Sequence, residues 1–132
     1  MAITSAICNS FKQEILEAEH NFTATTGNTF NLALYTISAT LGASTTAYSA
    51  KGKALTSVTP TLDSSTAVCD FADVSWTSAS FTANGCLIFN DSHSTDAAVC
   101  AVAFGGDKTV SSGTFTVQFP AAAATTAIIR IA

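Results

Sequence analysis

Through most of this chain, short runs in which apolar residues alternate with threonine or serine are separated by turn-forming clusters. In "GTFTVQF" at 113–119, Phe115, Val117 and Phe119 fall on one side of an extended chain. A period of two is typical of a strand with one buried face. "TFNLALYTI" at 29–37 has the same character and predicts another strand. This alternation constrains the fold more than any other feature of the sequence.

The alternating runs recur to the end of the chain. Further strands are predicted at 45–50, 53–62, 66–71, 73–77, 80–89, 97–105, 107–110 and 126–132. The separators are "LGAS", "DSS", "NDSHSTD", "GGD" and "SSG", and "GGD" is typical of a hairpin turn. Many short strands without a second helix favour an antiparallel sandwich or barrel. We expect a mainly β, jelly-roll-like sandwich.

The first twenty residues show a different period. Ile7, Phe11 and Ile15 recur at intervals of four, which predicts an amphipathic α-helix over about 5–19. Ser5 is the candidate N-cap, and His20 follows the predicted C-terminus, where a protonated imidazole favours the helix dipole. The whole chain, 1–132, is therefore expected to be a single β-sandwich domain with an N-terminal helix and strands from about 29 to 132.

Charge is scarce in this sequence. Charged residues make up 11%, and nine acidic against five basic residues leave a net charge of −4. Nucleic acid is not expected as a partner, because phosphate binding needs clustered lysine and arginine. Only Lys51 and Lys53 are close together, in a predicted solvated loop. The most apolar window, 97–106, is about half of a membrane span, and no targeting segment is recognised, so we expect neither membrane insertion nor secretion.

Four cysteines occur without any C-x-x-C pair: Cys8, Cys69, Cys86 and Cys100. The spacing gives no support for a zinc or thioredoxin-like site. Each cysteine is placed where a small buried hydrophobe is expected. An even count permits two disulfides, but we expect four reduced thiols because no secretion signal is recognised.

One cluster has the residue types of a catalytic or metal site. In "NDSHSTD", Ser92, His93 and Asp96 could form a Ser–His–Asp set, since such sets are recognised by geometry. Alternatively Asp91, His93 and Asp96 could hold a metal ion, although the spacing matches no known ligand motif. Asn, Asp and Ser are also the usual turn formers, and a solvated loop is the favoured interpretation.

Two aromatic residues, Trp76 and Tyr48, could line a sugar-binding site, although each alone is more typical of a core or an interface. No residue of the chain is therefore predicted to be catalytic, cofactor-binding or metal-binding. We expect a protein that is not an enzyme and has no cofactor.

The sequence resembles a family of small virion proteins encoded among the structural genes of tailed bacteriophages. The resemblance covers nearly the whole chain in order. It is carried by "MAITSAICNSFKQEIL", "FNLALYT", "SATLGASTTAY", "LTSVTPTL", "DFADVSWTSASFTANG", "DKTVSSGTFTVQFP" and "AIIRI". The sequence departs from the family between Tyr48 and Leu55, where "SAKGKA" replaces a longer excursion.

The resemblance implies a capsid decoration, or cement, protein on the virion surface that is synthesised in the host cytoplasm. The partner it implies is the major capsid protein of the phage shell. We also expect self-association as a homotrimer, because icosahedral shells offer three-fold positions. Two alternatives stay open. One is a tail or baseplate component with a glycan-binding face, and the other is a small hydrolase that uses Ser92, His93 and Asp96.

Overall fold

The computed structural model describes residues 2–48 and 52–132 and contains strands and one short helix. The helix α1 spans Asn9–Leu16. The strands are β1 (Ala6–Ile7), β2 (Phe30–Tyr35), β3 (Lys53–Ala54), β4 (Ser57–Asp63), β5 (Thr66–Phe71), β6 (Val74–Asn90), β7 (Ala98–Val117) and β8 (Ile129–Ile131).

The strands form two antiparallel sheets. The first has five strands in the order β1-β7-β6-β2-β3, and the second has three in the order β4-β5-β8. Every strand pair within them is antiparallel. The expected mainly β, antiparallel character is confirmed.

Side chains of both sheets meet in one buried cluster. Leu32 and Ile88 come from the five-stranded sheet, and Phe71 and Ile129 come from the three-stranded sheet. Phe30 connects the two groups, because its ring centroid lies 5.9 Å from that of Phe71. Side chains of both sheets therefore belong to one core, as expected from the alternation of apolar residues in their strands.

Two predicted groups of strands are single long strands. The segments 73–77 and 80–89 are joined in β6, and 97–105, 107–110 and 113–119 are joined in β7. The two long strands pair with each other as one hairpin, whose turn lies at 91–97.

The predicted hairpin turn at "GGD" is wrong. Gly105 and Gly106 lie inside β7, with φ of 80° and 152°. Residues 104–107 stand opposite the single residue Asn84 of β6. The glycines therefore form a bulge, because they adopt these backbone angles without the steric cost that other residues meet.

The predicted helix boundaries, 5–19, are also wrong. Ser5 is not the N-cap, since its Oγ accepts a hydrogen bond from the Ala103 amide. Ile7 lies in β1, opposite Cys100 of β7, and the N-cap residue is Cys8. Pairing with β7 overrides the helical period at Ile7, because a paired strand satisfies backbone groups that a helix end would leave free.

The buried residue of the helix was predicted correctly. Phe11 is 3% exposed, and its ring contacts that of Phe22 in the core. His20, in contrast, lies beyond the end of α1 and does not cap it.

The remaining strands agree with the sequence to different degrees. Strand β5 matches the predicted 66–71, and β2 and β8 are shorter than 29–37 and 126–132. The predicted strand 53–62 is broken at buried Leu55 into β3 and β4. In 45–50 only Ala47 forms an isolated bridge, to Ala97, and Ser49, Ala50 and Lys51 lie outside the described residues.

Candidate functional site

The hairpin turn does not assemble the candidate catalytic set. His93 Nε2 lies 3.0 Å from Glu19 Oε2, and His93 Nδ1 accepts hydrogen bonds from Thr95. Ser92 Oγ accepts a hydrogen bond from the Thr29 amide at 2.8 Å. In the described structure no hydrogen bond joins the His93 ring to Ser92 or to Asp96. The cluster therefore lacks the nucleophile-to-base contact that a Ser–His–Asp mechanism requires.

Beneath this turn lies a buried polar cluster that the sequence did not reveal. Asn90 is fully buried, and its Nδ2 donates to Asn28 Oδ1 at 3.0 Å and to His20 Nδ1 at 3.1 Å. Its Oδ1 accepts from the Ser92 amide. Because His20 Nδ1 accepts, its Nε2 carries the proton and donates to Glu14 Oε1 at 3.1 Å. The cluster ties the turn to the segment that follows the helix.

The structure describes residues 2–48 and 52–132 of the chain. This part of the chain brings together no group of three or more His, Cys, Asp or Glu side chains that could hold a metal ion. None of its helices has the length and apolar character needed to cross a membrane.

The structure brings Trp76 and Tyr48 together. Both line a depression of ≈ 450 Å³ on the five-stranded sheet, with Leu32, Ala33, Leu34, Gly52 and Lys53. The Lys53 Nζ lies 5.4 Å from the Trp76 ring centroid and also donates to the Ser75 carbonyl. An aromatic pair beside a cation is the kind of surface that can stack on a sugar ring and bind its hydroxyl groups.

All four cysteines are free, and Cys8, Cys86 and Cys100 are buried. Burial raises the pKa of the Cys8 and Cys69 thiols to about 11 and that of Cys86 to about 12. Burial also raises the pKa of Cys100 above its ordinary value. Because the thiolate is the nucleophile and the metal ligand, these thiols are poorly suited to either role near neutral pH.

An apolar row crosses the end of the three-stranded sheet. Leu62 of β4 is opposite Ala67 of β5, and Ala67 is opposite Ile131 of β8. Leu62 is 73% exposed and Ile131 is 56% exposed. We call these three residues the contact row.

The contact row continues the buried face of its sheet. Ala67, Cys69 and Phe71 alternate along β5 and therefore share one face. Phe71 is buried in the core, and Cys69 packs against it. The apolar face of this sheet thus extends beyond the part of the molecule that covers it.

A larger opening lies beside β7 and is lined mainly by residues of β6 and β7. Its volume is ≈ 580 Å³. It is lined by Cys86, Ile88, Val102, Phe104, Lys108, the run 115–120 and Ile128. We call it the apolar cleft. Its volume falls in the range of about 300–1,000 Å³ that ligand sites occupy.

No family model, curated protein or solved structure matches this chain.

Proposed function

We propose that this chain is a non-enzymatic structural protein of a bacteriophage virion, which decorates the assembled capsid and stabilises it. The contact row is the observation that carries the proposal. It offers apolar side chains on a regular sheet, and it supplies contact area without a catalytic group. The resemblance of the sequence to small phage virion proteins supports the same role.

The fold that we propose for this chain is a β-sandwich. Two antiparallel sheets that share one core are the layers of a sandwich, and we place this chain among jelly-roll-like sandwiches. Phe71 and Ile129 of one sheet and Leu32 and Ile88 of the other belong to the same buried cluster, which supports this assignment.

Stabilisation of a shell follows from mass action. A protein that binds the assembled shell but not its free subunits shifts the equilibrium toward the shell. Burial of one exposed leucine or isoleucine side chain contributes about 1.5–3 kcal/mol. Leu62 and Ile131 are both exposed in the isolated chain, so each copy bound to the shell can gain from both.

The proposed partners are the major capsid protein and further copies of this chain. We place the protein on the outside of the capsid as a homotrimer, because icosahedral shells present three-fold positions at which identical faces meet identical shell surfaces. Closed cyclic symmetry is the usual form of homo-oligomers, which supports a ring over an open chain. Synthesis takes place in the host cytoplasm before assembly.

The test uses purified protein and expanded capsid shells that lack it. We expect wild-type protein to bind the shells and to raise the temperature at which they burst. Leu62→Asp should lose both effects, because it places a charge in the contact row. Leu16→Asp is the matched control, since Leu16 is 88% exposed but lies on the helix.

The outcome separates three cases. Loss of shell binding in Leu62→Asp with retention in Leu16→Asp supports the proposal. Equal retention in both variants means that the contact row is not the docking surface. Failure of the wild-type protein to bind shells, or its location on tails alone, overturns the capsid role.

A tail or baseplate component with a glycan-binding face is the second candidate. It is favoured by one observation, the shared depression of Trp76, Tyr48 and Lys53. A glycan array read with wild-type protein and with Trp76→Ala tests it. Binding that disappears in Trp76→Ala, together with few copies per virion, would favour this candidate over a shell protein of hundreds of copies.

A further inference from the structure

We propose that the apolar cleft binds an extended peptide segment of a partner protein, with alternating apolar and polar side chains and a carboxylate beside Lys108. This inference goes beyond the capsid role, because it concerns the cleft and not the contact row. It rests on an open strand edge, an apolar interior and one unpaired cation.

The open strand edge is indicated by Phe115, Thr116 and Val117, which are consecutive in β7 and all line the cleft. Consecutive side chains of an extended segment point to opposite faces. Three consecutive strand residues border one cleft when the edge of the backbone faces it. A backbone edge with free N–H and C=O groups is a template for another strand.

The pairing of β7 shows why this edge is open. On the side away from β6, strand β1 covers only Cys100 and Ala101. The amide of Ala103, farther along the same side, donates a hydrogen bond to Ser5 Oγ. Beyond it, no strand within the described residues pairs with this side of β7. An added peptide would thus extend the sheet next to β1.

The position of the cleft agrees with that direction. Ile128 lines the cleft and also a neighbouring depression that includes Ile7 of β1. The cleft therefore opens on the β1 side of β7, where the unpaired edge lies.

The two faces of the β6–β7 hairpin predict which side chains alternate along the bound peptide. Ile88, Val102 and Phe104 offer apolar contacts inside the cleft. The opposite face carries hydroxyl pairs, such as Thr82 Oγ1 and Thr109 Oγ1, 2.9 Å apart. Because side chains of an added strand alternate between the same two faces, the bound segment would alternate apolar with polar residues.

The charge of the cleft predicts that the bound segment carries a carboxylate. Lys108 is the only charged residue among the described residues that line the cleft. Among the described residues it has no ion pair and no side-chain hydrogen bond, whereas its neighbour Asp107 accepts from Asn84 Nδ2 at 2.9 Å. A carboxylate on the bound segment would complement this cation and favour one class of partner over others.

The probe is a blocked heptapeptide of sequence ETVTVTE, in which the glutamates and the valines share one face of the extended chain. Glutamates at both ends make the test independent of peptide direction. Three comparison probes accompany it: the same peptide with lysine at both ends, the peptide N-methylated at every residue, and dodecanoate. Trp76 is the only tryptophan, and its ring lies 6.1 Å from that of Phe115 in the cleft wall, so its fluorescence reports occupancy.

We expect the glutamate peptide to bind about three-fold more tightly than the lysine peptide, as for a partly exposed ion pair. N-methylation should weaken binding about ten-fold, because it removes backbone donors and the strand pairing they make. Lys108→Glu should reverse the preference between the two charged peptides. Lys12→Glu, a charge reversal on the exposed face of the helix, should leave it unchanged.

Three results would overturn the proposal. The first is the absence of saturable binding by any of the peptides at millimolar concentration. The second is equal binding of the N-methylated and parent peptides, or tight binding of dodecanoate alone, which would make the cleft a site for small amphiphiles. The third is an unchanged charge preference in Lys108→Glu. None of these results bears on shell binding through the contact row.

Discussion

The two halves of the β6–β7 hairpin belong to the same two strands but differ in burial. In the inner half, residues 85–90 and 98–103, nearly every side chain is buried. In the outer half, residues 74–83 and 108–117, most side chains are exposed or partly buried, and Val74, Ala79 and Ala83 are the buried ones. The chain itself distinguishes the halves, because the inner half is apolar except for Asn90 at its end and the outer half alternates.

The neighbours of each half explain the difference. The inner half pairs with β2 on one edge and with β1 on the other. Both of its faces are covered, since Ile88 lies in the buried core and the ring centroid of Phe89 lies 4.7 Å from that of Tyr48. The outer half is a two-stranded ribbon, and such ribbons are only marginally stable without a third strand or a cover. Burial in this hairpin therefore depends on sheet neighbours more than on strand length.

The largest expected effect is the loss of an aromatic side chain from the inner half. Phe89→Ala should lower the free energy of unfolding by about 3–5 kcal/mol, because a fully buried ring leaves a cavity. Phe81→Ala is the matched change in the partly buried outer half, and about 1–2 kcal/mol is expected. Urea unfolding measures both. Equal losses would contradict the assigned difference in packing.

The second largest loss of stability is expected when the buried side-chain amide of Asn90, at the end of the inner half, is removed. Asn90→Ala should cost about 2–3 kcal/mol, because it leaves the Ser92 amide and His20 Nδ1 without their partner. Asn84→Ala is the control, since its partner Asp107 is exposed and can bind water, and about 1 kcal/mol is expected. Thermal melts of the two variants should differ accordingly. A smaller loss in Asn90→Ala than in Asn84→Ala would show that the cluster does not stabilise the turn.

Gly85 lies at the boundary between the two halves, and its substitution tests how closely the chain packs there. A Cβ at Gly85 would lie 2.6 Å from the Val102 carbonyl oxygen and 2.8 Å from the Ile3 side chain. Gly85→Ala should therefore destabilise by about 1–3 kcal/mol through overpacking. At Gly106 a Cβ meets no atom within 4 Å, and Gly106→Ala should cost about 1 kcal/mol through its positive φ alone. If Gly85→Ala melts at the wild-type temperature, β1 and its neighbours do not pack on the inner half as described.

The smallest effect is expected on the hydroxyl face of the outer half. Thr82 Oγ1 and Thr109 Oγ1 are 2.9 Å apart, and both residues are exposed. Thr82→Val should change the free energy of unfolding by less than about 0.5 kcal/mol, because water replaces the lost partner. Differential scanning calorimetry is sensitive enough to check this. A loss above 1 kcal/mol would mean that hydroxyl pairing holds the ribbon together.

Local sequence pattern predicted some elements well and others poorly. The strand at 66–71 and the burial of Phe11 follow from periodicity and were predicted correctly. The predicted breaks at "GGD" and "SSG" were wrong, because both are typical turn sequences and yet lie inside β7. Ile7 fits a helical period by coincidence and is held in a strand by β7.

The candidate sites show the same limit. Ser92, His93 and Asp96 are close in sequence. In the structure, however, the His93 ring is paired with the Glu19 carboxylate and accepts a hydrogen bond from Thr95. Trp76 and Tyr48 are far apart in sequence, yet they line one depression. Proximity along the chain was therefore a poor guide to proximity in space.

By itself, the sequence determined the class of structure and its core-facing residues. Alternation of apolar with hydroxyl-bearing side chains leaves few ways to bury the apolar ones other than antiparallel sheets. The tertiary structure alone decided that one hairpin would contain both the inner and the outer half. It also brought Leu62 and Ile131 into register with Ala67. Among the described residues, it left the outer half of β7 with an unpaired edge beside an apolar cleft. The physical reason is that periodicity is local, whereas pairing partners, edges and covers arise from segments that are distant in the chain.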